Sequence, residues 1–115
     1  MGFPSPANDF LEQRLDLNRL LIAHPNSTHF VRAKGSGMPD AGIDTGDILI
    51  VDMSLQLQHD DIAVCCIEGE LVLKRVQVSN KKIWLLNNAT DDVPLQLANE
   101  FDIWGIVVSV IKKLR

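Results

Sequence analysis

The chain has 115 residues, an apolar fraction of 46% and a formal net charge of −4. This length accommodates one domain with a modest core, but not two. No apolar run approaches the roughly 20 residues of a membrane-spanning helix, and the first residues lack the basic start and long apolar centre of a signal peptide. We therefore expect a cytoplasmic protein with no membrane partner.

The acidic balance also bears on nucleic acids. A chain without a basic stripe is a poor candidate for gripping phosphates, so no direct sequence-specific nucleic-acid binding is expected. Lys112, Lys113 and Arg115 are interpreted as a solvated end of the chain. The only cysteines, Cys65 and Cys66, are adjacent, which favours reduced residues in or near the core over a disulfide. Their spacing matches no metal site, and neither a metal nor a cofactor is predicted.

The N-terminal part combines an arm and a helix. Residues 1–9 contain two prolines and little periodicity, and residues 10–15 are predicted to run extended, so that 1–15 form an N-terminal arm. Residues 16–115 are predicted to form the folded domain. Asp16 can cap a helix in which Leu17, Leu20 and Leu21 share one face, and Pro25 follows its predicted end at residue 24.

From residue 28 onward the pattern is that of β-strands. Short apolar or alternating runs recur at regular spacing and are separated by turn residues, which indicates a mainly β, antiparallel domain with one short N-terminal helix. The last run, rich in Ile and Val, is predicted to be the longest strand. The predicted strands are residues 28–34, 47–52, 62–67, 71–78, 82–86, 95–97 and 102–112.

A long, shaped loop separates the first two strands. The residues that break the chain there are Gly35, Gly37, Pro39, Gly42 and Gly46. Loops held by rigid strands on both sides often carry functional side chains. The sequence therefore directs attention to this loop.

Lys74 is the most informative charged residue. Alternation along the fourth predicted strand places it on the face shared by Val72 and Val76. A lysine on such a face either extends to the sheet edge or is buried, where a neutral amine can act as the general base of a serine–lysine pair. Periodicity alone favours the structural interpretation.

Several segments together resemble the UmuD family, the accessory subunits of DNA polymerase V. They are Gly-Phe-Pro-Ser-Pro-Ala at 2–7, Leu-Asn-Arg-Leu-Leu-Ile at 17–22, His-Pro at 24–25, Gly-Asp-Ile-Leu-Ile-Val-Asp at 46–52, Leu-Lys-Arg at 73–75 and Ile-Trp-Gly-Ile-Val at 103–107. The resemblance covers essentially the whole chain. It implies a LexA/signal-peptidase-like β domain that forms homodimers.

The resemblance also implies partners. Family members cut themselves with a serine–lysine dyad when a RecA filament on single-stranded DNA stimulates them, just before a Gly-Phe-Pro-Ser-Pro segment. The start of this chain, Met1 followed by that segment at 2–6, is therefore similar to the processed form. That form activates a Y-family polymerase of the UmuC type in translesion synthesis during the SOS response.

One departure from the family pattern concerns the nucleophile. Lys74 matches the lysine that serves the family as general base, but the family's serine, immediately before Met38, is replaced by Gly37. Ser36 is a weak substitute, because a shift of one residue turns a side chain to the opposite face. Its glycine neighbours loosen that rule. The resemblance thus implies a catalytically silent protein, and Gly37→Ser is expected to restore cleavage.

Three functions remain open on the sequence. The first is a silent subunit of an error-prone polymerase. The second is an active serine–lysine peptidase that cleaves LexA- or UmuD-type substrates in trans, with Ser36 as its nucleophile. The third is the dimerisation domain of a phage-type repressor, which the segment at 2–6 disfavours.

Overall fold

A seven-stranded antiparallel sheet forms the framework of the protein in the computed structural model, which describes residues 14–35, 37–86, 96–98 and 102–115. The strand order in the sheet is β1-β2-β7-β3-β4-β5-β6. The mainly β fold predicted from the sequence is confirmed. The elements are α1 Leu17–Leu21, β1 Thr28–Arg32, β2 Ile48–Asp52, β3 Ile62–Ile67, β4 Glu70–Ser79, β5 Lys82–Leu86, β6 Gln96–Ala98 and β7 Ile103–Ile111.

Helix α1 begins as predicted and ends early. The Asp16 carboxylate accepts a hydrogen bond from the backbone N–H of Asn18 at 3.0 Å and so caps the first turn. The helix ends at Leu21, and the predicted extension to residue 24 is wrong. Ile22 is already extended, and the residue before Pro25 is disfavoured in the helical region. No side chain of the helix itself is buried, and the arm predicted at 1–15 lies largely outside the described residues.

Two strand predictions need correction. β1 ends at Arg32 rather than at residue 34, because the chain turns into the glycine-rich loop there. β4, with 10 residues, is longer than β7, with 9, so the last strand is not the longest. β4 is long because its first half pairs with β3 and its second half pairs with β5.

The sheet has a buried cluster on each face. Successive residues of β3 point to opposite sides, so Val64 joins one cluster while Ala63 and Cys65 join the other. Cys66 is exposed, so the expectation of two core cysteines holds only for Cys65. We call the face of Val64 the loop face and that of Ala63 the outer face. The loop-face cluster is Ala33, Met38, Ile43, Leu49, Val51 and Val64, and the outer-face cluster is Ala63, Cys65, Val76, Leu85 and Ile106.

Candidate functional site

The glycine-rich loop is folded against the loop face. Met38 and Ile43 are almost completely buried and form a two-way bridge, in which the N–H of Met38 donates to the Ile43 carbonyl at 2.9 Å and the N–H of Ile43 donates back at 3.1 Å. A 3-10 turn, Pro39–Ala41, lies between them and closes at Gly42, whose φ is +75°. The bridge gives the loop a fixed shape.

Gly37, where the family resemblance predicts a serine, lies directly before this bridge. Its φ of +66° is a left-handed conformation that side-chain-bearing residues rarely adopt. A Cβ atom added there would lie 2.5 Å from the carbonyl oxygen of Ile43. The position of the predicted serine thus has a backbone that leaves no room for an added Cβ. The expectation that Gly37→Ser restores cleavage is therefore not supported by the structure.

Ser36, the weak substitute nucleophile, falls outside the described residues. Both of its neighbours are described, and both are left-handed, with φ values of +69° at Gly35 and +66° at Gly37. A segment with this backbone is not an extended strand, so simple alternation does not fix where a side chain between them points. The role of Ser36 stays a prediction.

Lys74, the predicted general base, is half-buried in β4 and pairs with Ala63 of β3. This pairing places it on the outer face, together with Val76, as alternation predicted. Its charge acts on the nearby Cys65 thiol, but burial dominates there and raises the pKa of Cys65 to about 11. Cys65 is therefore a protonated core residue at neutral pH. The assignment of Lys74 as the base of a dyad stays a prediction.

A groove of about 690 Å³ lies beside Gly37 and is lined by the loop, by the end of β1 and by residues 71–73 of β4. β5 pairs with β4 only from Arg75 onward, so residues 70–74 of β4 have β3 on one side and no further described strand on the other. An open strand edge next to apolar walls is suited to an extended peptide. Gly37 and the residues directly before Lys74 thus share one cleft.

Three ion pairs connect the loop to Arg75 of β4 and to Lys112, directly after β7. Arg75 Nη2 lies 3.3 Å from Asp40 Oδ2, and Lys112 Nζ lies 2.7 Å from Asp44 Oδ2 and 2.6 Å from Asp47 Oδ2. The N–H of Asp44 donates to Asp47 Oδ2 at 2.8 Å, which links the Asp47 carboxylate to the loop backbone. That bond and Lys112 lower the pKa of Asp47, and the two aspartates raise the pKa of Lys112.

A third polar cluster was missed by sequence reasoning. Asp52 is buried, and its carboxylate lies 2.6 Å from His24 Nδ1 and accepts both the N–H and the hydroxyl of Ser54 at 2.8 and 2.6 Å. These hydrogen bonds lower the pKa of Asp52, and the bond from the Ser54 hydroxyl has the largest effect. Ser54 bonds to the aspartate rather than to His24, so the arrangement is not a catalytic triad. Only the motif similarity at residues 24–25 and 46–52 hinted at it.

Among the residues that the structure describes, no group of three or more His, Cys, Asp or Glu side chains could hold a metal ion. No helix in the same ranges has the length and apolar character needed to cross a bilayer.

Comparison with known proteins places this arrangement in a family. Residues 1–108 match the Peptidase S24-like family. The chain is 38% identical to protein ImpA of Salmonella typhimurium over 114 residues, or 99% of this chain and 79% of ImpA. It is 37% identical to MucA of Escherichia coli over 110 residues, or 92% of this chain and 74% of MucA. It is also 38% identical to SamA of Salmonella typhimurium over 114 residues, or 99% of this chain and 80% of SamA. The chain therefore belongs to the Peptidase S24-like family and is a homologue of the UmuD-type proteins.

Proposed function

We propose that this chain is a catalytically silent, UmuD-type subunit of an error-prone translesion polymerase in the SOS response. Its homology supports a UmuD-like role in SOS mutagenesis. The observation that carries the silent form of that role is the backbone at Gly37. The family resemblance places the nucleophile at this position, and the Ile43 carbonyl lies too close there for an added Cβ. A family member that cannot cut at this position would act through its partners.

The proposed partners follow from the family resemblance. The chain forms a homodimer in the cytoplasm, binds a Y-family polymerase of the UmuC type and meets a RecA filament on single-stranded DNA through that complex. The open cleft beside β4 supports a binding role, because a strand edge and apolar walls recognise an extended segment whether or not a bond is cut.

Co-purification tests the subunit role. The tagged chain is co-expressed with the UmuC-type polymerase of its own source, and the peptidase-fold domain of a LexA repressor serves as the control with the same fold. We expect the polymerase to form a stable complex with this chain and not with the LexA domain. We also expect damage-induced mutagenesis to require this chain. A chain that neither binds the polymerase nor supports mutagenesis would overturn the proposal.

The second candidate is a peptidase that cleaves other chains with Ser36. The observation that favours it is the left-handed backbone on both sides of Ser36. The assay mixes this chain with a full-length UmuD-type homologue whose own serine is removed, at alkaline pH, where a lysine loses its proton. If the wild-type chain cleaves the homologue and both Ser36→Ala and Lys74→Ala abolish cleavage, the peptidase function is correct and the silent-subunit proposal is wrong. We expect no cleavage.

A further inference from the structure

One end of the sheet gathers basic residues that are far apart in the sequence. Arg32 pairs with Ile48, and Ile48 pairs with Ile111, so the ends of β1 and β7 lie in one row. Adjacent strands are about 4.8 Å apart, which puts the backbones of Arg32 and Ile111 about 10 Å from each other. Five of the 11 Lys and Arg residues lie in or directly after this row: Arg32, Lys34, Lys112, Lys113 and Arg115.

Most of this charge is not compensated locally. Lys112 is held by Asp44 and Asp47. Arg32 donates to the backbone carbonyl of Gly46 at 2.9 Å, a bond that leaves its positive charge in place. In the described part of the chain, no carboxylate pairs with the exposed Arg32, Lys34, Lys113 or Arg115. Although the protein has a net charge of −4, this end of the sheet has an excess of positive charge.

An exposed aromatic ring lies beside these cations. Phe30 is two residues before Arg32, so both side chains project from the outer face of β1, the edge strand of the sheet. Its side chain is 59% exposed, and that of Ile111 in the neighbouring row is 41% exposed. An aromatic ring flanked by arginine and lysine is the combination on which unpaired bases stack while phosphates contact the cations.

We propose that this basic face, defined by Phe30, Arg32, Lys34, Lys113 and Arg115, binds single-stranded nucleic acid without sequence preference. The sequence alone suggested that the C-terminal lysines are solvated, because β1 and the end of β7 are brought together only by the fold. Single-strand binding loses affinity with salt at a slope of about −0.7 per phosphate contact, so four cations give a slope near −3. The proposal concerns the isolated chain and does not depend on the subunit role.

A second copy of the chain is the alternative occupant. A two-fold symmetric interface would place this patch of one copy against the same patch of the other. Four unpaired cations would then face four others, and such like-charge contacts are unfavourable. A polyanion matches the charge of the face, and its bases match the exposed ring.

Fluorescence anisotropy with a labelled oligothymidylate of about 20 nucleotides, at about 50 and 200 mM salt, tests the proposal. We expect saturable, salt-sensitive binding. Phe30→Ala should weaken it about tenfold, because each stacked base contributes measurably to affinity. The double variant Arg32→Gln/Lys113→Gln should reduce the salt slope by about 1.4. Phe30→Leu keeps an apolar side chain of similar size and is therefore a control for a folding defect. It should still bind the oligonucleotide more weakly than wild type, because it has no aromatic ring.

The matched controls are Lys81→Gln/Lys82→Gln, with the same charge change at the β4–β5 turn, and Leu20→Ala, which truncates an apolar residue that is 60% exposed on α1. Both should retain wild-type affinity. Absence of binding, or an equal loss in the controls, would overturn the proposal. If Phe30→Ala converts a dimer into a monomer in sedimentation but leaves affinity unchanged, the face belongs to a second copy. Neither result bears on co-purification with the polymerase.

Discussion

At the residue scale, the backbone conformation at Gly37 is the main constraint on what this loop position can hold. The left-handed φ and the close Ile43 carbonyl both exclude a side chain. The family resemblance predicts a serine at this position, because a sequence motif concerns side chains. It could not show that the surrounding backbone leaves no room for a serine, because that depends on the Met38–Ile43 bridge.

Substitution of Gly37 should therefore be costly. We expect Gly37→Ala and Gly37→Ser each to lower the free energy of unfolding by about 2–4 kcal/mol, which combines left-handed strain with overpacking. Gly42→Ala is the matched control. Its φ is +75° and nothing lies within 4 Å of an added Cβ, so only the strain of about 1–2 kcal/mol remains. Urea unfolding measures all three. Equal losses at both positions would show that the Ile43 carbonyl moves aside easily.

The buried Asp52 carboxylate should make the free energy of unfolding depend on pH in the acidic range. Its pKa lies below the ordinary value of 3.8, chiefly because of the Ser54 hydroxyl bond. A lowered folded-state pKa gives stability that is present above 3.8 and lost as pH falls through the folded pKa. We expect Asp52→Asn to be less stable than wild type at pH 7 and to lose less on acidification to about pH 3. Thermal unfolding across this pH range is the measurement; parallel curves for the two proteins would contradict it.

At the element scale, the β4–β5 turn contains backbone strain that a substitution can relieve. Ser79 pairs with Lys82, and the two residues between them, Asn80 and Lys81, have φ values of +52° and +61°. Such two-residue turns favour Asn-Gly. We expect Lys81→Gly to raise the unfolding free energy by about 1 kcal/mol because it removes left-handed strain. Lys82→Gly, at the first residue of β5, should instead destabilise the protein. A Lys81→Gly variant that is no more stable in urea would show that the turn is already relaxed.

The elements themselves were largely predictable from local patterns. Alternation and turn residues predicted each strand, and Asp16 was identified as the helix cap. The errors arose where a distant partner decides the outcome. β4 is long because two different strands pair with it, and the contact of His24 with Asp52 joins segments that no periodicity links.

At the scale of the whole molecule, the end of β7 is connected to the glycine-rich loop. From the sequence, Lys112 was predicted to be part of a solvated end, because no sequence pattern relates it to Asp44 and Asp47. The fold brings the three together, since β7 pairs with β2, and Asp47 directly precedes β2. The same pairing brings the tail cations to Arg32. Charge placement in this protein is therefore set by strand order rather than by local sequence.

Removal of the Lys112 tether should loosen the loop while the sheet persists. In Lys112→Met, Asp44 and Asp47 keep their backbone bonds but lose the ammonium that holds both carboxylates within 2.7 Å. We expect the amides of Asp44 and Gly46, which donate to Asp47 and to the Ala33 carbonyl, to exchange with deuterium about tenfold faster, whereas core amides of β2 do not change. Lys113→Met makes the same chemical change one residue later, where no described carboxylate is paired, and should leave exchange unaltered.

High salt should reduce the difference in exchange rate between wild type and Lys112→Met, because screening weakens the half-exposed ion pair in the wild type. Identical exchange in wild type and Lys112→Met would show that the backbone bridge between Met38 and Ile43 holds the loop by itself.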